Sequence, residues 1–195
     1  MARKKRIWFP GAKYHIVCRG NRKASLFNEQ VDRLTYFKFL EQARTAFPFR
    51  LHAYCLMTNH VHLSIETFDY PPGEIMKVIN SNYARYFNKK YDYAGHVFQG
   101  RYTAELLDSI LYEIHLSKYI HLNPVNAQMV QHPSDYAWSS YSAYLSYKTD
   151  LHVTSEYILA FFQQPAREAY QRYVEHSNPS ILPELVKHVP YLKQG

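Results

Sequence analysis

Ala53-Tyr54-Cys55-Leu56-Met57-Thr58-Asn59-His60-Val61-His62-Leu63-Ser64-Ile65-Glu66 holds two apolar, β-prone runs around a short polar break. That pattern predicts a hairpin, with one strand over Phe49 to Met57 and its partner over His60 to Glu66. Alternate side chains of a strand share a face, so His60 and His62 project together while Val61 and Leu63 point away. Two imidazoles so placed either line a half-buried strand or grip one divalent cation, since His is the commonest metal ligand.

Working outward, Lys13 to Arg19 alternates as a strand and Gly20-Asn21-Arg22 breaks it. Asn28-Glu29-Gln30 opens a helix running to about Ala46, with Leu34, Phe37, Leu40 and Ala43-Ala46 at helical spacing. A second helix is expected from Glu74 to about Lys90, with Ile75, Val78, Ile79, Tyr83, Tyr86 and Phe87 as its apolar stripe. Asn82, Arg85 and Lys89-Lys90 decorate its outer side. His96 to Tyr102 reads as a last strand, broken or bulged at Gly100. Strand-helix-strand-strand-helix-strand predicts an α+β fold of the ferredoxin-like, split βαβ type, an antiparallel sheet with helices on one face.

Asp108 to about Asn123 then predicts a further helix, capped by Asp108 or Ser109 and ended or kinked by Pro124. At 100° per residue, Tyr112, His115, Tyr119 and Asn123 fall within an arc of about 80°. Ile110, Leu111, Ile114, Leu116, Ile120 and Leu122 fill the rest of the circumference. Such a helix is buried on most sides, and its one polar stripe is either a seam against a neighbour or is aimed at something.

The 195 residues suffice for one cored domain, read as residues 1–145, followed by a helical C-terminal extension, residues 146–195. Hydrophobic content of 47% and charged content of 20% exclude a disordered chain. No apolar run approaches the roughly 18 residues that span a bilayer, and the basic N-terminus lacks the apolar segment of a secretory signal. Cys18 and Cys55 sit in apolar runs and read as buried free thiols of a cytoplasmic protein. A net charge of +7, with 19 Tyr and 11 Phe interleaved with basic residues, suits a surface that stacks bases and holds phosphates.

Five runs together carry a family resemblance: Tyr14-His15-Ile16 with Arg19-Gly20-Asn21-Arg22, Leu56 to Leu63, Gly95 to Arg101, Lys118 to Val125, and Asp135 to Tyr141. In this order and spacing the chain resembles the REP-associated tyrosine transposases, a branch of the single-tyrosine HUH (His, hydrophobic, His) transposases. It departs from their usual pattern at Thr58, where Pro is common, and at Asn126, where a basic residue is common. The resemblance implies an endonuclease and strand transferase that nicks and rejoins single-stranded, hairpin-bearing DNA during transposition or repeat processing. It implies Mg²⁺ or Mn²⁺ on His60, His62 and Asn123, and Tyr119 as the nucleophile that forms a 5′-phosphotyrosine. His115, one turn earlier, is a candidate helper, and Tyr112 is the next tyrosine on geometry. Arg3, Lys4, Lys5, Arg6, Arg19, Asn21, Arg22, Arg85 and Arg101 are expected to hold DNA, with the protein a monomer or homodimer. The same fold would also serve a domesticated hairpin binder without turnover.

Overall fold

The computed structural model describes residues 7–146, 150–176 and 179–187. Four strands, β1 (Lys13–Arg19), β2 (Phe49–Leu56), β3 (His60–Thr67) and β4 (Thr103–Leu106), form one antiparallel sheet in the order β2-β3-β1-β4. Helices α1 (Gln30–Ala46) and α2 (Pro72–Tyr91) connect them in the split βαβ manner.

The strands alternate as their sequences require. Tyr14, Ile16 and Cys18 of β1 and Val61, Leu63 and Ile65 of β3 point to one face and build the main core with α1 and α2. The opposite positions, His15, Val17 and Arg19 of β1 with His60, His62 and Ser64 of β3, share the other face. Helix α3 (Ile110–Asn126) lies there, with Leu116 and Ile120 packed on Ala53 and Cys55 of β2. Fold class therefore follows the expectation, with α1 and α2 on the core face and α3 on the second face.

Three local expectations are corrected. The last strand is Thr103–Leu106, paired with Tyr14 to Val17, and not His96 to Tyr102. Val97, Phe98 and Tyr102 are buried as their apolar character demands, but the backbone before Gly100 touches the sheet only through a Gly20–Phe98 bridge and its flanking bonds. Leu34 is 53% exposed, and the buried stripe of α1 is Tyr36, Phe37, Leu40 and Ala43 with Asp32. Pro124 does not end α3, which runs to Asn126 before Ala127 N–H bonds the Asn123 carbonyl. A proline this close to a helix end removes one hydrogen bond, and its burial in the α3 interface offsets that loss.

Asp32 shows how α1 and α2 are joined. Its fully buried carboxylate accepts from Lys90 Nζ at 2.7 Å, the Tyr86 and Tyr91 hydroxyls at 2.7 Å each, and the backbone N–H groups of Asn28 and Glu29. Burial pushes its pKa up, but those bonds outweigh burial and hold it well below the usual carboxylate range.

The C-terminal helices α4 (Tyr141–Leu145), α5 (Glu156–Leu159), α6 (Ala166–Glu175) and α7 (Leu182–Leu185) follow. Val153, Ile158, Phe162, Tyr170, Tyr173 and Leu182 lie in the same buried cluster as the sheet. Cys18 and Cys55 are buried free thiols, as expected. Among the described residues, no helix is long and apolar enough to cross a membrane.

Candidate active site

The β2–β3 hairpin loop is pinned from outside. Gly20 N–H donates to the Asn59 carbonyl at 2.8 Å, and Leu26 N–H to the Thr58 carbonyl at 2.8 Å. A Cβ on Gly20 would sit 2.1 Å from the Ala24 carbonyl oxygen, so only glycine lets the chain close over the loop. The next residues, Arg22 and Lys23, hold left-handed φ values of 51° and 62°, a conformation that costs non-glycine residues of order 1–3 kcal/mol each.

The pinned loop delivers the histidine pair. His60 and His62 ring centroids lie 4.9 Å apart, nearly perpendicular. His60 Nδ1 bonds Asn59 Oδ1 at 2.7 Å, and His62 Nδ1 bonds His15 Nε2 at 2.9 Å. Both Nδ1 atoms are engaged, which leaves the Nε2 of each ring to offer a lone pair. Burial first, then the neighbouring charges of His15, His60 and Arg19, lowers the His62 pKa to about 3. Burial, followed by Arg19, also lowers His60. Both rings are therefore neutral at neutral pH, the state in which an imidazole offers a lone pair to a cation.

Helix α3 closes the site. Ser109 caps it, accepting from Tyr112 N–H at 3.2 Å. The Tyr119 ring meets the His62 ring edge-on at 5.5 Å, and the His15 ring at 6.0 Å. It remains 47% exposed, so the side chain is not sealed into the core. Asn123 lies one turn further on the same face, its side-chain N–H donating to the Tyr119 carbonyl at 2.8 Å, which leaves Oδ1 as the acceptor end.

Two other members of that stripe are turned to other work. His115 Nδ1 bonds the Tyr173 hydroxyl of α6 at 2.7 Å, which directs it toward the C-terminal helices. Tyr112 bonds Glu105; burial first, then that carboxylate, raises its phenol to about 12. Of the two tyrosines, Tyr119 is the one in contact with the histidines.

The expected DNA contacts divide in the same way. Arg19, Arg22, Lys23, Asn59, His60 and Gln99 line one cleft. A second cleft, lined by Val17, Arg19, Gln99, Gly100, Arg101 and Thr103, shares Arg19 and Gln99 with it. Asn21 lies at the start of the turn, donating its N–H to the Val97 carbonyl at 2.8 Å. Arg85 is exposed on α2, its guanidinium bonded to Asn82 at 2.5 Å. Arg3, Lys4, Lys5 and Arg6 lie outside the described residues.

The family described as "Transposase IS200 like" matches residues 9–123, a span that holds all four strands and the polar stripe of α3. The chain belongs to that family. Among solved structures, this transposase is similar to a REP-associated tyrosine transposase bound to a REP hairpin, with a TM-score of 0.64 and 17% identity. The alignment covers 80% of this chain and 96% of the other, and shows a shared fold. A putative transposase from Deinococcus radiodurans R1 aligns over 61% of this chain and 95% of its own, at a TM-score of 0.43 and 16% identity. No curated protein matches the chain.

Sequence reasoning passed over His15, Asn59, Lys23 and Gln99 as site residues. His15 carried a signal, since the alternation that places Tyr14 in the core turns His15 to the histidine face. Gln99 carried none, because its place depends on how the 96–102 segment crosses the end of β1.

Proposed function

We propose that this IS200-like transposase cuts and rejoins single-stranded, hairpin-bearing DNA through a covalent link to Tyr119. The observation that carries the reading is the 5.5 Å contact between the rings of Tyr119 and His62, which come from different elements on the histidine face of the sheet. The similar fold of a REP-associated tyrosine transposase bound to a REP hairpin supports hairpin DNA as the substrate and the REP-associated branch as the place of this chain.

A divalent cation fits the donor set. Among the described residues, no group of three or more His, Cys, Asp or Glu side chains is arranged to hold a metal ion. The donors available are instead two neutral imidazoles, through Nε2 of His60 and His62, and the carboxamide Oδ1 of Asn123. Such a mixed nitrogen and oxygen set suits Mn²⁺ or Mg²⁺. When bound, the cation polarises a scissile phosphate and offsets charge developing on its oxygens.

The chain's own residues do the rest. Arg19, Arg22, Lys23 and Arg101 hold phosphates along the two clefts, which meet at Arg19 and Gln99 and of which the first reaches His60. Tyr119 Oη loses its proton to solvent and attacks the phosphorus. The bond to O3′ breaks, O3′ takes up a proton, and the 5′ side remains as a phosphotyrosine. A second 3′-hydroxyl then attacks that phosphotyrosine and releases Tyr119, so bond energy is conserved and no nucleotide is consumed. His115 is given no part in this sequence, since its Nδ1 is bonded to the Tyr173 hydroxyl.

The test is incubation of the full chain with end-labelled, single-stranded hairpin DNA and Mn²⁺, followed by denaturing electrophoresis. A covalent adduct that EDTA suppresses is expected. Binding of every hairpin in a broad panel without any adduct would overturn the enzymatic reading in favour of a non-catalytic binder.

A further inference from the structure

The proposed metal ligand His62 has a neighbour that the proposed chemistry leaves unused. His15 lies on β1, opposite Ser64 of β3 and Glu105 of β4, and so diagonal to His62 across the β1–β3 pair. Diagonal side chains on one sheet face are within reach of each other when they are long or aromatic. Here the contact is made: His15 Nε2 and His62 Nδ1 are 2.9 Å apart, and the two rings are nearly parallel at 16°. The edge contact of His15 with Tyr119 places it at the junction of the histidine strand and the nucleophile helix.

An imidazole that gives Nε2 to a cation must carry its proton on Nδ1, and that N–H needs an acceptor when it is buried. His62 is 3% exposed, so water does not serve it. For His60, Asn59 Oδ1 fills this role at 2.7 Å. His15 Nε2 occupies the matching position for His62. Each histidine of the pair thus has its own orienting partner, one on the hairpin loop and one on the adjacent strand.

We propose that His15 is a positioning residue, accepting the His62 Nδ1 proton and fixing the ring so that Nε2 faces the cation. This rests on the reading of His60 and His62 as cation ligands. Outer partners of this kind typically contribute 10- to 100-fold to metal affinity.

The experiment is titration calorimetry of the full chain with Mn²⁺ alone, without DNA, on wild type, His15→Ala, His15→Gln and His62→Ala. Thermal unfolding and metal-free binding of hairpin DNA are measured beside it. His62→Ala should abolish binding at the site, and His15→Ala should weaken it by about 10- to 100-fold with unfolding and metal-free DNA binding unchanged. His15→Gln, whose amide oxygen can accept the same proton, should restore most of the affinity. Wild-type Mn²⁺ affinity in His15→Ala would overturn the positioning role while leaving the cation site standing. Equal affinity in wild type and His62→Ala would overturn the cation site and this role together. If His15→Ala does not fold, His15→Gln decides: weak Mn²⁺ binding in a folded His15→Gln protein, or a lowered melting temperature in His15→Gln, would make the role structural and overturn the proposal.

Discussion

Removing one hydroxyl from Tyr119 and, separately, one from Tyr170 tests how the two sides of α3 divide their work. The Tyr119 ring is half exposed and meets the histidine face. Tyr119→Phe should change stability by no more than about 0.5 kcal/mol, the usual range for a surface site. It should leave hairpin binding intact and abolish the covalent adduct. Tyr170, on α6, is fully buried against the other side of α3. Its hydroxyl bonds His121 Nδ1 at 2.7 Å and donates to Ser117 Oγ at 3.0 Å. Ser117 keeps its own bond to the Ile114 carbonyl, so Tyr170→Phe orphans chiefly the His121 nitrogen. An orphaned buried polar atom costs about 1–3 kcal/mol. For a chain of this size, 1 kcal/mol moves Tm by about 2–4 °C, so a drop of roughly 2–12 °C is expected. Adduct formation well below the new Tm should persist. The assays are thermal unfolding by fluorescence and denaturing electrophoresis of labelled hairpin DNA. An adduct formed by Tyr119→Phe would show that another tyrosine attacks, and an unchanged Tm for Tyr170→Phe would refute the buried network.

His121 gives a pH signature. Burial holds its pKa at about 3, whereas the unfolded chain takes up that proton near 6.5. Its cost to stability is nil above about pH 6.5 and grows as pH falls, reaching about 2 kcal/mol at pH 5. His121→Gln should therefore flatten denaturant-measured stability between about pH 7.5 and pH 5 by that amount, and a slope equal to wild type would refute it. Gly20→Ala drives a Cβ into the Ala24 carbonyl and should cost about 1–3 kcal/mol, read as a lowered denaturant midpoint. A wild-type midpoint would mean the 20–24 turn yields without loss. Joint replacement of Arg22 and Lys23 by Ala should reduce the salt-dependence slope of single-stranded DNA binding by about 1.4, from roughly 0.7 per phosphate contact. An unchanged slope would take both residues off the phosphate path.

What the sequence disclosed was the part encoded in periodicity. The alternation around His60-Val61-His62 survives intact because one face of β3 must fill the core, which commits the other face to the histidines. The same logic placed α1 and α2, yet it put Leu34 in the core, where Tyr36 sits instead. Helical spacing alone admits neighbouring stripes, and the larger ring claimed the buried one. The last strand slipped from 96–102 to Thr103–Leu106 because burial and pairing come apart there. Val97 and Phe98 are buried by tertiary packing while their backbone forms only an isolated bridge to β1. His15 was hidden because its partner, His62, lies 47 residues away across a strand pair whose register is settled only by folding.

The run Lys118 to Asn123 shows how the C-terminal residues hold the helix of the proposed nucleophile. Tyr119 and His121 are two positions apart, about 200° around the helix, so they face opposite ways. Tyr119 looks to the histidines, while His121 is locked between Tyr170 and Ser140 Oγ, the latter at 2.8 Å. Lys118 reaches the carbonyls of Tyr173 and His176 at 2.7 and 2.9 Å, and His115 the Tyr173 hydroxyl. Ser140 is in turn bonded to the backbone of β2, accepting from Tyr54 N–H at 2.9 Å. The rotation of α3 about its axis is thus fixed on one side by α6 and on the other by the sheet. A turn of 20° would carry a phenol oxygen, about 8 Å from the helix axis, through nearly 3 Å, a displacement large enough to separate it from a phosphate held at the histidines. A half-exposed tyrosine can act as an aimed nucleophile only if the helix beneath it cannot roll, and the polar bonds that His121, His115 and Lys118 make to residues 140–176 supply that restraint.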